Sequence, residues 1–183
     1  MVQIIDDLFT DKFLLEIYED LLTGWSFDNV ANRYQHPMDS FCKGTHRFFS
    51  RSMYEKISKD FAENQCPDRV MEVYEVLSKK IENDLNIKLE VTKIEANLQV
   101  MLQDGTPHID GTSHTLIFFP HYKWEKEWGG YLQIFDNEGN LTESILPLPG
   151  RAVLFDSRVL HRGLSPVVPN IARISIAYRV NCP

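Results

Sequence analysis

Thr106-Pro107-His108-Ile109-Asp110 opens the stretch on which the reading of this chain turns, and Arg173-Ile174-Ser175 closes it. Between them stand Trp128-Gly129-Gly130, Pro149-Gly150-Arg151 and His161. Along an extended chain, side chains two apart point to the same side. His108 and Asp110 can therefore enter one interior while Ile109 faces away. His161 follows the apolar run ending at Phe155 and can reach the same interior from a neighbouring strand. Two imidazoles and one carboxylate are the donor set of a mononuclear non-haem Fe(II) centre, and they leave half of the coordination sphere open. The bland reading of a lone His-x-Asp is a solvated turn. The second histidine, and an arginine 173 − 161 = 12 residues after it, weigh against that.

The arginine lies on the last long strand, read from Ile171 to Val180. Arg173, Ser175 and Ala177 share one face of it, and Ile174, Ile176 and Tyr178 take the other. A guanidinium on the inward face of a barrel needs an anion, and a ligand carboxylate matches its forked geometry. The alternative is an internal ion pair with an Asp or Glu. Arg179 has the same parity but stands near the strand end, which makes it the weaker candidate.

Working outward, Lys88 to Met101 reads as one or two strands with Asn97 and Gln99 opposite Leu98 and Val100. Gln103 to Pro107 is the turn that delivers His108. Thr115 to Phe119, Tyr131 to Phe135, the segment through Ile145 and Leu146, and Arg151 to Phe155 are further short strands, with Asp136 to Asn140 as a turn. Before them, Thr10 caps a helix whose apolar face is Phe13, Leu14, Ile17, Leu21 and Leu22 and which Gly24 ends. Pro67 opens a second helix to about Asn83, with Val70, Tyr74, Leu77 and Ile81 on one side. Trp25 to Ser52 is irregular, and residues 29–52 suit a substrate lid. His36 and His46 there read as loop histidines. Helices first and many short strands afterwards give an α+β fold with an antiparallel barrel or jelly roll carrying the site.

The chain has 183 residues, 43% of them hydrophobic and 25% charged, which suits one domain over 1–183. Its helical part runs to about 87, and the barrel core covers 88–183. A net charge of −7 and no dense basic cluster argue against nucleic acid as partner. Cys42, Cys66 and Cys182 are too far apart for a cysteine metal site and read as reduced thiols. With neither a signal peptide nor a run long enough to span a bilayer, the expectation is a cytoplasmic protein without a membrane partner.

The order His108-x-Asp110, Trp128-Gly129-Gly130, Pro149-Gly150-Arg151, Phe155-Asp156, His161-Arg162-Gly163 and Arg173-x-Ser175 resembles the Fe(II)- and 2-oxoglutarate-dependent dioxygenases. Within them it looks most like the prolyl 4-hydroxylase branch. The resemblance covers residues 88–183 firmly and the N-terminal helices loosely. It implies a double-stranded β-helix core with supporting N-terminal helices. It implies His108, Asp110 and His161 as iron ligands and Arg173, helped by Ser175, on the distal carboxylate of 2-oxoglutarate. Fe(II), 2-oxoglutarate and O2 follow as cofactors, and ascorbate is admitted as an accessory. Two positions depart from the pattern. Tyr131 stands where many members have Glu after Gly-Gly, and Leu116 to Phe119 lacks the tyrosine that prolyl hydroxylases place near the cosubstrate. Asn97, Gln99 and Thr115 are then the candidates for that contact.

The function implied is hydroxylation of a C–H bond in a prolyl residue of a protein or peptide. A free amino acid or other small molecule is the alternative substrate. A non-catalytic metal-binding jelly-roll protein, or a cupin-type enzyme using Zn(II) or Mn(II), is the alternative class, which Arg173 disfavours. A nucleic-acid demethylase lacks its basic surface, since Arg47 and Arg51 alone are too little. Five further residues carry secondary expectations. His114 has the parity of Asp110, with a place beside the triad or the substrate only the lesser alternative, and His121 reads as solvated in a turn. Asp156 is a partner for Arg158 or a turn cap, and Trp124 with Trp128 is packing near the pocket.

Overall fold

The computed structural model describes residues 2–27, 48–57 and 62–182. They form β1 (Val2–Ile5), α1 (Asp11–Asp20), β2 (Phe49–Lys56), β3 (Ala62–Asn64), α2 (Asp68–Leu85), β4 (Glu90–Gln99) and β5 (His114–Phe118). A short 3₁₀ turn (Lys126–Trp128) precedes β6 (Leu132–Phe135), β7 (Leu141–Ile145), β8 (Ala152–Asp156), β9 (His161–Gly163) and β10 (Arg173–Asn181). The strands pair antiparallel in two sheets, one in the order β1-β8-β5-β10-β4-β2-β3 and one in the order β7-β6-β9. This is the α+β double-stranded β-helix that the sequence predicts.

Strand alternation sorts side chains into two cores. Ile174, Ile176 and Tyr178 of β10, with Leu116 and Phe118 of β5, face the helices and meet Leu14, Ile17, Val70, Leu77 and Ile81. Ile117, Phe119, Val153 and Phe155 face the smaller sheet and meet Leu132, Ile134 and Ile145. A one-residue slip would turn either set to the wrong side, so both cores hold the register. Within that register Arg173 pairs with Gln99 and Ser175 with Asn97 across β10 and β4. The parity read from the sequence thus sets the polar face of β10 toward the space between the sheets.

Helix α1 begins as expected, with Thr10 Oγ1 accepting from the Phe13 N–H at 3.3 Å. It stops at Asp20, a turn before Gly24. Arg51 of β2 is the reason: its Nη1 donates to the carbonyls of Asp20 (2.9 Å) and Thr23 (3.1 Å), taking up helix-end acceptors. Helix α2 runs two residues past Asn83, and Asn86 closes it in the left-handed conformation at φ 54°.

The irregular reading of Trp25 to Ser52 is corrected in its last part. Phe49 onward is β2, paired with β4 on one side and β3 on the other. Residues 28–47, with His36, His46, Cys42 and most of the expected lid, lie outside the described residues. Cys66 and Cys182 are free thiols. Among the described residues no helix is long and apolar enough to cross a membrane.

Candidate metal and cosubstrate site

The His-x-Asp segment is not part of a regular strand; it is laced to β9. Gly105 N–H donates to Gly163 O at 2.8 Å, and His108 and His161 exchange two backbone hydrogen bonds, each of 2.9 Å. Asp110 N–H then donates to Ser157 O at 2.8 Å. Both imidazoles are held the same way, His108 Nδ1 to Thr106 O and His161 Nδ1 to Val159 O, each at 2.9 Å. A carbonyl only accepts, so Nδ1 carries the proton and both Nε2 lone pairs are free to ligate. Asp110 sets its Oδ1 3.9 Å from His108 Nε2 and its Oδ2 3.4 Å from His161 Nε2. One donor atom from each of the three residues falls within 4.8 Å of the others. This cluster can hold a metal ion.

Protonation suits that role. Burial, aided by the neighbouring His161, pulls the His108 imidazole down to about 4 and keeps it neutral. Burial alone would push the Asp110 carboxyl up, but the charge of Arg179 beside it holds it well below the usual carboxylate range. Two neutral imidazoles and an ionised carboxylate are the forms a divalent ion takes. Thr115 Oγ1 donates to Asp110 Oδ2 at 2.6 Å, and Arg179 Nη1 donates to the same oxygen. Arg179, the weaker candidate on sequence, is thus the partner of the cluster's carboxylate. Its parity with Arg173 was the available signal.

His108 and His161 border a cavity that Asn97, Gln99, Arg173 and Ser175 also line. Arg173 is buried, and no carboxylate among the described residues pairs with it. Its Nε donates to Gly130 O (2.7 Å), and its Nη1 donates to Gln99 Oε1 (2.9 Å) and Ser175 Oγ (3.2 Å). The guanidinium lies 5.0 Å from the Phe119 ring centroid. Burial brings it down to about 9, which leaves it cationic at neutral pH. The internal ion pair weighed on sequence is therefore absent among the described residues, and a cation waits on the cavity wall. Gly130, at φ 73°, lets its carbonyl reach the arginine; a Cβ there would stand 2.9 Å from Trp124 and 3.2 Å from Arg173 Cδ.

Other expectations change. Thr115 is fully buried on Asp110 and is not among the residues lining the cavity. Gln99 spends its amide on Gln103 O (2.7 Å) and Gly163 O (3.0 Å), so it braces Arg173. His121 is buried, not solvated: it packs at a tilt against Trp124 with centroids 4.4 Å apart, and its Nε2 accepts from Ile174 N–H. A single imidazole between aromatic residues carries no periodic signal, which is why the sequence misplaced it. His114 contacts Cys182 Sγ at 3.2 Å instead of the triad. Asp156 does both jobs weighed for it, accepting from the Arg158 backbone and from its guanidinium. Arg151 of the Pro-Gly-Arg motif is structural, donating through Nε and Nη2 to Asp6 at 2.8 Å each.

Residues 96–180 match the family model described as the 2OG-Fe(II) oxygenase superfamily. No curated protein matches the chain by sequence. Among solved structures, a Pseudomonas putida prolyl-4-hydroxylase superposes with TM-score 0.64 at 14% identity, over 97% of this chain and 91% of that one. A Trichoplax adhaerens prolyl hydroxylase, solved with a hypoxia inducible factor peptide fragment, gives 0.63 at 17%, over 97% and 83%. The alpha-ketoglutarate-dependent epimerase SnoN of nogalamycin biosynthesis gives 0.65 at 10%, over 98% and 77%. At these identities the likeness is one of fold. Residues 96–180 carry the three histidine and aspartate donors and the buried arginine alike, so the segment that matches the 2OG-Fe(II) oxygenase superfamily, whose chemistry uses Fe(II), 2-oxoglutarate and O2, is the one that holds the candidate site.

Proposed function

We propose that the protein is a 2-oxoglutarate-dependent dioxygenase that hydroxylates a C–H bond of a prolyl residue in a protein or peptide. The observation that carries this reading is the buried Arg173 guanidinium, without a carboxylate partner among the described residues, on the same cavity as His108 and His161. In this reading Nε2 of His108, Nε2 of His161 and a carboxylate oxygen of Asp110 hold Fe(II), and Arg173 takes the distal carboxylate of 2-oxoglutarate. When bound, Fe(II) supplies the coupling of 2-oxoglutarate decarboxylation by O2 to oxygen insertion into the substrate C–H bond.

The chain's own residues supply position and a sheltered site. The carbonyls of Thr106 and Val159 fix the two rings, while Thr115 and Arg179 hold the Asp110 carboxylate. Gly130 O and Gln99 Oε1 orient Arg173, and Ser175 Oγ adds a hydroxyl beside it. With no tyrosine on β5, Asn97 is the remaining polar side chain of β4 available to the cosubstrate. Phe48, Ile117 and Leu132 close the walls with apolar surface, which strengthens each charge-assisted contact inside.

The prolyl substrate is supported by the two prolyl hydroxylases of like fold, one of them solved with a peptide. SnoN shows that this fold also serves an epimerase, so free amino acids and other small molecules form the comparison set. The reading also takes residues 1–183 as one domain and the cytoplasm as its compartment. Anaerobic addition of Fe(II) and then 2-oxoglutarate should produce a weak visible charge-transfer band that Arg173→Ala weakens or shifts to far higher cosubstrate. Proline-containing peptides should then gain one oxygen atom by mass, with succinate in equal amount. Turnover with free amino acids only would replace the peptide substrate, and bound iron without the band would remove 2-oxoglutarate.

A further inference from the structure

A second cavity lies behind the anchor, walled by Tyr18, His121, Tyr122, Trp124, Trp128 and Asn170 among others. None of its residues lines the cavity of His108 and His161. Its rings meet at angles: Tyr18 against Tyr122 at 5.5 Å between centroids, His121 against Trp124 at 4.4 Å, and Trp124 against Trp128 at 5.4 Å. The first and last of these are edge-to-face and the second is tilted, arrangements that leave ring faces and edges available to another flat ring.

The polar group at this cavity is a histidine that the proposed reaction does not use. His121 is 3% exposed. Ile174 N–H donates to its Nε2 at 3.2 Å, so the neutral ring carries its proton on Nδ1. Burial and the charge of Arg173 pull this imidazole down to about 3, which keeps it neutral. Among the described residues Nδ1–H has no acceptor. No side-chain nitrogen or oxygen sealed from solvent lacks a partner, so this N–H opens into the cavity that the ring borders. A largely buried donor is costly until an acceptor meets it.

The remaining polar groups point the same way. The Lys123 ammonium (paired with Glu125 at 3.2 Å), the Tyr18 and Tyr122 hydroxyls and the Asn170 amide offer donors, and no carboxylate among the described residues lines the cavity. The positive charge of Arg173, already felt by His121, extends to this wall. A cation would meet like charge and a donor; an aliphatic acid would leave the rings unused. We propose that this cavity is a binding site for a small aromatic carboxylate, with its ring among Tyr122, Trp124 and Trp128 and its carboxylate on the His121 Nδ1–H. The site stands on its own residues, whatever substrate the iron site takes.

Benzoate is the probe. It is titrated by calorimetry and tryptophan fluorescence into the full chain under anaerobic conditions with Fe(II) and saturating 2-oxoglutarate, which occupies the Arg173 cavity. One saturable site per chain is expected, weakened about tenfold or more by Tyr122→Ala and by His121→Phe, and taking benzyl alcohol about tenfold less tightly than benzoate. Tyr122 is 47% exposed, so its truncation reports on the site even where His121→Phe fails to fold. Absence of saturable binding, or binding unchanged in Tyr122→Ala, overturns the site. Benzyl alcohol bound as tightly as benzoate overturns the carboxylate.

Discussion

Gly163 lacks a side chain where Arg173 and Gln99 meet: a Cβ there would stand 3.0 Å from both Arg173 Nη1 and Gln99 Oε1. Gly163→Ala should displace the guanidinium without touching the Nε2 donors, and so raise the 2-oxoglutarate dissociation constant about tenfold while Fe(II) binding holds. Calorimetry on the variant checks this, and an unchanged cosubstrate affinity would remove the bracing role. His121 carries a pH prediction. Its unfolded value is near 6.5 and its folded value about 3, so below pH 6.5 the unfolded chain binds a proton that the folded one refuses. Stability is therefore full above about 6.5 and falls as pH drops toward 3. The charged group facing His121 is Arg173 of β10, with Tyr18 of α1 the nearest other titratable ring. His108 adds a slope of the same sign, so the comparison is with His121→Phe, whose denaturant midpoint should vary less between pH 6.5 and 4. Equal slopes would acquit His121. At this scale the donors and Arg173 were readable because their residue types are rare in interiors and their parity is strict. The carbonyls of Thr106 and Val159 and the burial of His121 were not, since backbone acceptors and tertiary burial leave no mark in residue type.

Strand β10 stands between the helix-side core and the cavity, and its two faces do different work. Its inward face holds Arg173, Ser175, Ala177 and Arg179, while Tyr178 on the outward face donates to Val70 O at 2.8 Å and stacks on Tyr74 with centroids 5.7 Å apart. That bond ties the site's strand to α2. Tyr178→Phe keeps the ring and deletes the bond, which should cost about 1 kcal/mol and lower Tm by about 2–4 °C. A differential scanning experiment that finds no loss would show the stacking alone to suffice. The alternation that sets β10 was legible because nine residues repeat it without a break. β9 was not: three residues are too few for a period, and pairing with β6 defines it. β2 was hidden because Ser50, Arg51 and Ser52 interrupt its apolar positions, and only pairing with β4 recovers it. Likewise the end of α1 was set by Arg51, thirty-one residues beyond Asp20.

The whole chain carries a net charge of −7, yet among the described residues the lining of its central cavity includes Arg173 and Arg179, with Asp110 beside it as the partner of Arg179. Under the proposed function a buried guanidinium inside a chain of net negative charge favours a small enclosed anion over a polyanionic backbone. The overall order, helices and then short strands, was enough to read the barrel; substrate choice resides in contacts around the cavity mouth, where spacing carries no code. The enclosed charge also makes binding visible in global stability. Under the proposed function Fe(II) binds the folded cluster and 2-oxoglutarate binds folded protein at Arg173, so each should add RT ln(1 + [L]/Kd) to the free energy of unfolding. At a hundredfold excess over Kd that is about 2.7 kcal/mol, or a rise in Tm on the order of 5–11 °C for a chain of this length. Under anaerobic conditions the wild type should show two successive increments, one with Fe(II) and one with 2-oxoglutarate. Arg173→Ala should keep the first and lose most of the second, whereas His108→Ala should lose both. A full cosubstrate increment in Arg173→Ala would mean that the dianion is anchored elsewhere, with Arg179 the next cation on the same wall.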